Sequence, residues 1–331
     1  MMAAIRPNKS DAPLSAAAIN DFTEKAHVQS KRHLSPMARE DRMTFWCFIS
    51  PWLIGFALFG MGPIIASIIL SFTNYSLFRP PQWVGLGNYR ELFSDPLIWK
   101  SLGNTFFYVF FAVPLGTAGS LLLAVLLNQE VKGIAVWRTI FYLPTVVSGV
   151  AMGVLWRWIF NREVGLANTI LRPVLRLFNL SDPQWLLDPA LAKPAYVLMS
   201  LWGIGGGMII FLAALQGIPK HLYEAAEIDG AGPVRRFLTI TVPMVSPIIL
   251  FSLTMGTIAS FQIFAQAYVM SGRGPDNSTL FYVLYLFDQA FRYFRMGYGA
   301  AMAWVLFAII LIVTVVKFTL AKRWVYYEGE E

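Results

Sequence analysis

Hydrophobic positions in this chain fall in long charge-free blocks, each bounded on both sides by a charged residue. The blocks are Met43–Phe78, Ser101–Gln129, Thr139–Trp156, Pro194–Pro219, Phe237–Gly272 and Met296–Val316. A helix needs roughly 20 mostly apolar residues to cross a bilayer, so the pattern predicts six spanning helices in an all-α integral membrane fold. Two further segments are apolar without spanning. Ser278–Phe287 is too short and reads as re-entrant or interfacial, and Val164–Leu180 reads as an amphipathic surface helix interrupted by Pro173.

Helix breakers punctuate several blocks: Pro51 and Pro63 in the first, Pro114 in the second, Pro144 in the third, and Gly203 with Gly205, Gly206 and Gly207 in the fourth. Irregular backbone at membrane depth is tolerated where it is buried or lines a cavity. The fourth span is therefore expected to face the interior, with Gly206 a candidate for the pathway wall. Close helix packing on small residues explains the glycines equally simply.

Composition agrees with this reading. Of 331 residues, 56% are hydrophobic and 14% charged, against about 25% charged in an average soluble domain. Mean hydropathy is +0.56. The net charge of +7 forms no contiguous basic patch, so a nucleic-acid partner is not expected, and the bases flank the apolar blocks as in membrane proteins. With six spans both termini share one side, which carries 15 of the 26 Lys and Arg residues; the positive-inside rule makes that side cytoplasmic. Residues 1–44 form a polar tail, 45–321 the six-span domain, and 322–331 a short C-terminal tail. The first apolar block starts too late and runs too long for a cleaved secretory signal.

Chemistry is sparse. No Asp, Glu or His lies mid-span, whereas ion-coupled carriers usually need such groups. Arg157, between Trp156 and Trp158, sits at a span end where it can snorkel. The phosphate-binding pattern G-x-x-x-x-G-K-[ST] is absent, the three histidines are scattered, and Cys47 has no partner for a disulfide. No cofactor, metal or catalytic site is expected in the chain. A stand-alone carrier or channel is the alternative reading.

The most informative segment lies between the fourth and fifth blocks, at residues 219–243. It predicts a short helix from Lys220 to Asp229, stopped by a left-handed Gly230, and a second helix opening at Pro233. Leu222, Ala225, Ala226 and Asp229 fall on one face, with Glu224 and Glu227 available for pairing. Glu224-Ala225-Ala226, then Gly230, then Pro243 resembles the coupling (EAA) motif of binding-protein-dependent ABC importer permeases. The likeness extends from about Phe45 to the end. Pro51-Trp-Leu-Ile-Gly-Phe, Trp83-Val-Gly-Leu-Gly-Asn-Tyr89 and Leu212-Ala-Ala-Leu-Gln-Gly-Ile-Pro219 are similar to the carbohydrate-import branch, the maltose F-type and glycerol-phosphate group. The maltose subunit's extra N-terminal spans and large external domain are not expected in this six-span variant, a departure that bears on substrate and not on class.

The resemblance implies a permease subunit of the bacterial inner membrane, with a cytoplasmic loop that docks on an ATPase. The implied partners are a second, homologous permease, two ATPase copies carrying ATP and Mg, and an extracytoplasmic solute-binding protein. The implied cargo is a sugar, polyol or glycerol phosphodiester. In the fifth block, Gln262 and Gln266 stand four residues apart amid Phe261, Phe264 and Tyr268. Amides and aromatic faces together suit sugars, although interhelical hydrogen bonding accounts for them equally well.

Overall fold

The computed structural model describes residues 36–129 and 131–326; residues 1–35 of the expected N-terminal tail and 327–331 of the C-terminal one lie outside them. Among the described residues no strand forms, and isolated bridges such as Thr73–Trp83 are the sole β contacts. Three helices are long and apolar enough to span: Arg42–Ser71, Pro96–Leu127 and Met296–Ala321. Three bent pairs pass the same test, which makes six crossings when each pair counts as one.

The chain divides into two compact units, Met1–Ile65 and Ala66–Glu331. The first contains α1 (Pro36–Gly55), which begins ahead of the expected tail boundary at residue 44. Pro51 leaves α1 unbroken, but Phe56–Met61 widens into π-helical turns just before Pro63, a proline that cannot donate to the carbonyl one turn back. Phe48, Trp52 and Phe59 are exposed, as lipid-facing side chains are, and the Cys47 thiol is free and exposed. The helix resumes as α2 (Gly62–Ser71).

The first apolar block extends to Phe78, but the helix stops at Ser71. Asn88, from α3 (Gly87–Ser94), donates through Nδ2 to the carbonyls of Ser71 and Thr73 at 2.8 and 2.9 Å. It thereby satisfies carbonyls that a helix end leaves open.

The second unit is organised on α4 (Pro96–Leu127), 32 residues long and continuous through Pro114. Asp95 caps it, accepting from the Leu97 amide at 2.8 Å, with Pro96 opening the helix. Two cores are strung along α4. Near its start, Ile98, Tyr108 and Val109 pack with Tyr196, Phe261, Phe281 and Met302. Near its end, Leu121, Ala124 and Leu127 pack with Met208, Phe211, Leu215 and Val245.

The bent pairs wrap around α4. The third block divides into α5 (Ile134–Tyr142), with a 3-10 turn at Leu143–Val146, and α6 (Gly149–Ile159), which turns away by 100°. Ser148 caps α6 by accepting from Ala151. The surface helix α7 (Leu166–Leu177) is continuous through Pro173, not interrupted by it, and exposes Ile170, Val174 and Leu177. The fourth block gives α8 (Pro189–Leu201) and α9 (Gly205–Gln216), bent by 46°. There the glycines serve close packing. A Cβ at Gly205 would lie 1.9 Å from the Phe141 carbonyl oxygen, and one at Gly207 would lie 2.5 Å from Ser120 Oγ. Such small-residue contacts let helix backbones approach where lipid supplies no hydrophobic driving force.

The remaining helices are α10 (Lys220–Ile228), α11 (Pro233–Arg236), α12 (Val242–Met244), α13 (Ser246–Phe261), α14 (Ala265–Met270), α15 (Tyr282–Phe287) and α16 (Met296–Ala321). The predicted fifth span up to Gly272 is therefore shorter, ending at Phe261. The short Ser278–Phe287 segment becomes buried structure, with Leu280, Phe281 and Tyr282 fully enclosed.

Candidate functional site

The segment between α9 and α13 folds as a braced lever. α10 ends one residue short of the expected Asp229, which becomes its cap, and Gly230 follows with φ of 74°. The Ala231 amide donates to Ala226 O at 2.8 Å and the Gly230 amide to Glu227 O at 3.0 Å. This pair of bonds is a Schellman stop, and the positive φ is why glycine stands there. Gly232 then sets α11, with Pro233 first in the helix. The turns widen to a π-helix over Phe237–Thr241 immediately before Pro243, which again lacks the amide to continue the tighter pattern.

Two contacts brace α10 across this turn. Arg236 Nη1 pairs with Glu227 Oε2 at 2.9 Å, and the Tyr223 hydroxyl meets Thr241 Oγ1 at 2.9 Å. Leu222 and Tyr223 pack on the core around Leu127, Leu215 and Val245. The face presented outward is consequently rotated from the expected one. Leu222 and Ala226 turn toward the protein, while His221, Glu224, Ala225 and Ile228 are exposed, at the spacing of one helical face. Ile228 is 87% exposed, and Val234 and Leu238 extend the apolar surface. Glu227 is already paired within the chain, leaving Glu224 as the acidic group on this face.

A second feature lies between the two cores. A cavity of about 410 Å³ is lined by one side each of α4, the α8–α9 bend and α13. Its polar wall consists of hydroxyls, among them Tyr108, Thr117, Ser120, Ser252 and Ser260, and no charged side chain lines it. Ser120 Oγ donates to Ile204 O at 2.8 Å, fixing the helix break, whereas Ser252 Oγ is buried without a partner. An unsatisfied buried hydroxyl is costly unless a ligand or water completes it. In sequence the signal was small or hydroxyl residues every four positions: Tyr108, Ala112, Gly116 and Ser120 on α4, and Ser252, Gly256 and Ser260 on α13.

The glutamine pair does not share a helical face. Gln262 is the exposed cap of α13, Phe264 leaves helical geometry with φ of −140°, and Gln266 belongs to α14. Gln266 lies against α6, where a Cβ at Gly149 would stand 3.1 Å from Gln266 Nε2. Phe261 is fully buried, edge-to-face with Phe106 at 5.1 Å, and Tyr268 is an exposed ring beside Phe264, Phe287 and Arg292. Gly206 packs near Thr145 and does not line the cavity.

Beyond Gln262, polar groups are tied to one another. Asp288, fully buried, is ion-paired through Oδ2 with Arg273 at 2.9 Å, where Arg273 Nε also donates a hydrogen bond. Its Oδ1 lies 3.0 Å from Arg292 Nη1 and accepts no hydrogen bond. Asp95 Oδ2 accepts from Tyr285 and Tyr298, and Gln289 donates to the Tyr285 hydroxyl. Among the described residues no group of three or more His, Cys, Asp or Glu side chains comes together for a metal.

Comparison with known proteins agrees with this architecture. A probable ABC transporter permease protein of Bacillus subtilis (YesP) is 44% identical over 300 residues, covering 88% of this chain and 95% of the relative. The arabinooligosaccharides transport system permease protein AraP of the same species is 36% identical, covering 86% and 90%. The lactose transport system permease protein LacF of Rhizobium radiobacter is 33% identical, covering 84% and 94%. A chain in the crystal structure of a bacterial alginate ABC transporter, in complex with an alginate pentasaccharide-bound periplasmic protein, has the same fold. Its TM-score is 0.76 at 21% identity, over 88% of this chain and 98% of that one. Residues 97–326 match the family model described as binding-protein-dependent transport system inner membrane component. The chain belongs to that family and is a permease subunit of an ABC transporter, a membrane component and not an enzyme.

Proposed function

We propose that this chain forms one half of the translocation pathway of a carbohydrate importer and converts ATPase closure into movement of α13. The observation that carries the reading is the α10 lever. It is braced to the segment leading into α13 through Glu227–Arg236 and Tyr223–Thr241, while Glu224, Ala225 and Ile228 stay exposed for a partner. An ATPase groove that closes on this face would push α10, and the brace would pass the push through Thr241 and Pro243 into α13. The coupling set is then Glu224, Ala225, Ile228 and the Asp229–Gly230 stop, with Pro243 at the junction.

In this reading the Lys220–Pro243 segment and both termini are cytoplasmic, with residues 1–44 and 322–331 as tails around the 45–321 membrane domain. A second permease, two ATPase copies and an external solute-binding protein complete the complex. The cavity is uncharged and mainly apolar, with hydroxyls from α4 and α13 set in its wall, a mixture that suits a neutral polyhydroxylated solute, and sugar-transport relatives such as AraP and LacF support that cargo class. The pathway is assigned to this cavity instead of to the Gln262–Gln266 segment. The test is to co-purify the tagged chain with its ATPase and screen sugars for stimulation of hydrolysis in proteoliposomes. Absence of an ATPase partner would refute the coupling role, and a normal response only to non-carbohydrate solutes would refute the cargo.

A further inference from the structure

The last apolar block was bounded at Lys317, yet α16 continues through it to Ala321. A lysine one turn inside a spanning helix, ahead of Lys322 and Arg323, would ordinarily extend toward the interface. Lys317 turns inward instead. Its Nζ donates to the Leu253 carbonyl of α13 at 2.9 Å and also reaches Thr257 Oγ1. Thr257 Oγ1 itself donates to Leu253 O at 2.7 Å, so lysine and threonine converge on one carbonyl.

A second tie lies lower on the same helix. Past the end of α16, the Tyr326 amide donates to Ser246 Oγ at 2.9 Å, and Ser246 Oγ donates to the Pro243 carbonyl at 2.7 Å. Seven residues separate Ser246 from Leu253, or about 10 Å along the axis. α16 and the segment that follows it are thus tied to α13 at two levels, one of them at Ser246, which itself bonds the carbonyl of Pro243 where the lever joins. Leu253 and Thr257 are on the side of α13 away from the cavity, whose wall takes Ser252, Met255, Gly256 and Ser260. Ionisable groups at membrane depth are expensive and usually do specific work, and nothing in the lever or the cavity uses this one.

We propose that Lys317 is a positioning residue that makes α13 and α16 move as one body, so that motion entering at Pro243 reorients the cavity wall instead of bending α13. The inference rests on the coupling reading above. A lysine kept only for packing would make the same contacts, so the test must read coupling and not assembly alone.

The experiment uses the full complex in proteoliposomes with its binding protein and sugar. Wild-type ATP-dependent uptake comes first, and its absence would count against the coupling reading itself. Given working wild type, Lys317→Met should assemble normally and keep basal hydrolysis. Its sugar-stimulated hydrolysis and uptake should fall about fivefold or more, the shift expected from losing one interhelical polar tie. Lys317→Arg, which can still reach the carbonyl, should recover part of both, and Thr257→Val should show a smaller loss that is not additive with Lys317→Met. Unchanged stimulation and uptake in Lys317→Met would overturn the proposal. If that variant fails to assemble, Thr257→Val decides: uncoupled hydrolysis supports the positioning role, and normal coupling overturns it.

Discussion

The two ends of the helical unit are finished differently. At the α15 end, charges and hydroxyls close on one another: Asp288 holds two arginines, and Asp95 accepts from two tyrosines. At the α10 end, the Glu227–Arg236 ion pair and the Tyr223–Thr241 contact brace the turn, and apolar Ile228, Val234 and Leu238 are left bare. Large exposed apolar residues set among polar ones mark interaction surfaces. Phe291, Tyr293 and Phe294 are exposed at the α15 end as well, so the difference lies in the charges: there a buried carboxylate is ion-paired within the chain, whereas the acidic Glu224 beside Ile228 stays exposed for a partner.

The largest expected effect comes from blocking the incomplete end. Ile228→Asp should abolish co-purification of the ATPase while leaving membrane insertion intact, because the side chain is 87% exposed and supports no core. Quantifying ATPase recovered per chain checks this; undiminished recovery would mean that the bare face docks nothing.

At the self-contained end, Asp288→Asn should destabilise the chain by about 2–3 kcal/mol, as removing the buried member of an ion-paired cluster does, with both arginines partly solvated. The readout is a lower unfolding midpoint in detergent with normal ATPase association in the cold. Loss of ATPase binding at full stability would mean that the two ends are not separable.

Between the ends, Ser252→Leu should fill part of the cavity and depress uptake several-fold without altering ATPase association. Transport assays across several sugars check it, and normal uptake of all of them would remove the cavity from the pathway. The smallest effect belongs to Gln262→Leu. As an exposed cap outside the lining of the α4–α13 cavity, it should change stability within about 0.5 kcal/mol and leave uptake near normal.

These contrasts also explain what was legible in the sequence. The lever could be read because its signals are local. Gly230 takes a left-handed φ that glycine alone adopts cheaply, and Pro233, following Gly232, sits at the first helical position that proline favours. Which face of α10 points outward was not legible, since Tyr223 and Leu222 are drawn in by a core contributed largely by α4 and α9. The glutamine pair failed for the same kind of reason. Nothing in Phe261–Tyr268 announces a helix break; the break at Phe264 lets α14 fold against Gly149 and Gly153 of α6. The cavity was half legible, its four-residue stripes being visible on each helix while their convergence depends on the α8–α9 bend.

The central claim is that the Lys220–Pro243 lever couples the ATPase to the pathway, and Gly230→Val tests it most directly. No atom lies within 4 Å of a Cβ added at Gly230, so the main effect acts through the backbone, at about 1 kcal/mol or more for a β-branched residue held at positive φ. The decisive measurement is sugar-stimulated ATP hydrolysis together with uptake by reconstituted Gly230→Val complex. Normal insertion, hydrolysis that no longer answers to sugar, and lost uptake are expected, whereas wild-type stimulation with wild-type uptake would show that the Gly230 turn transmits nothing.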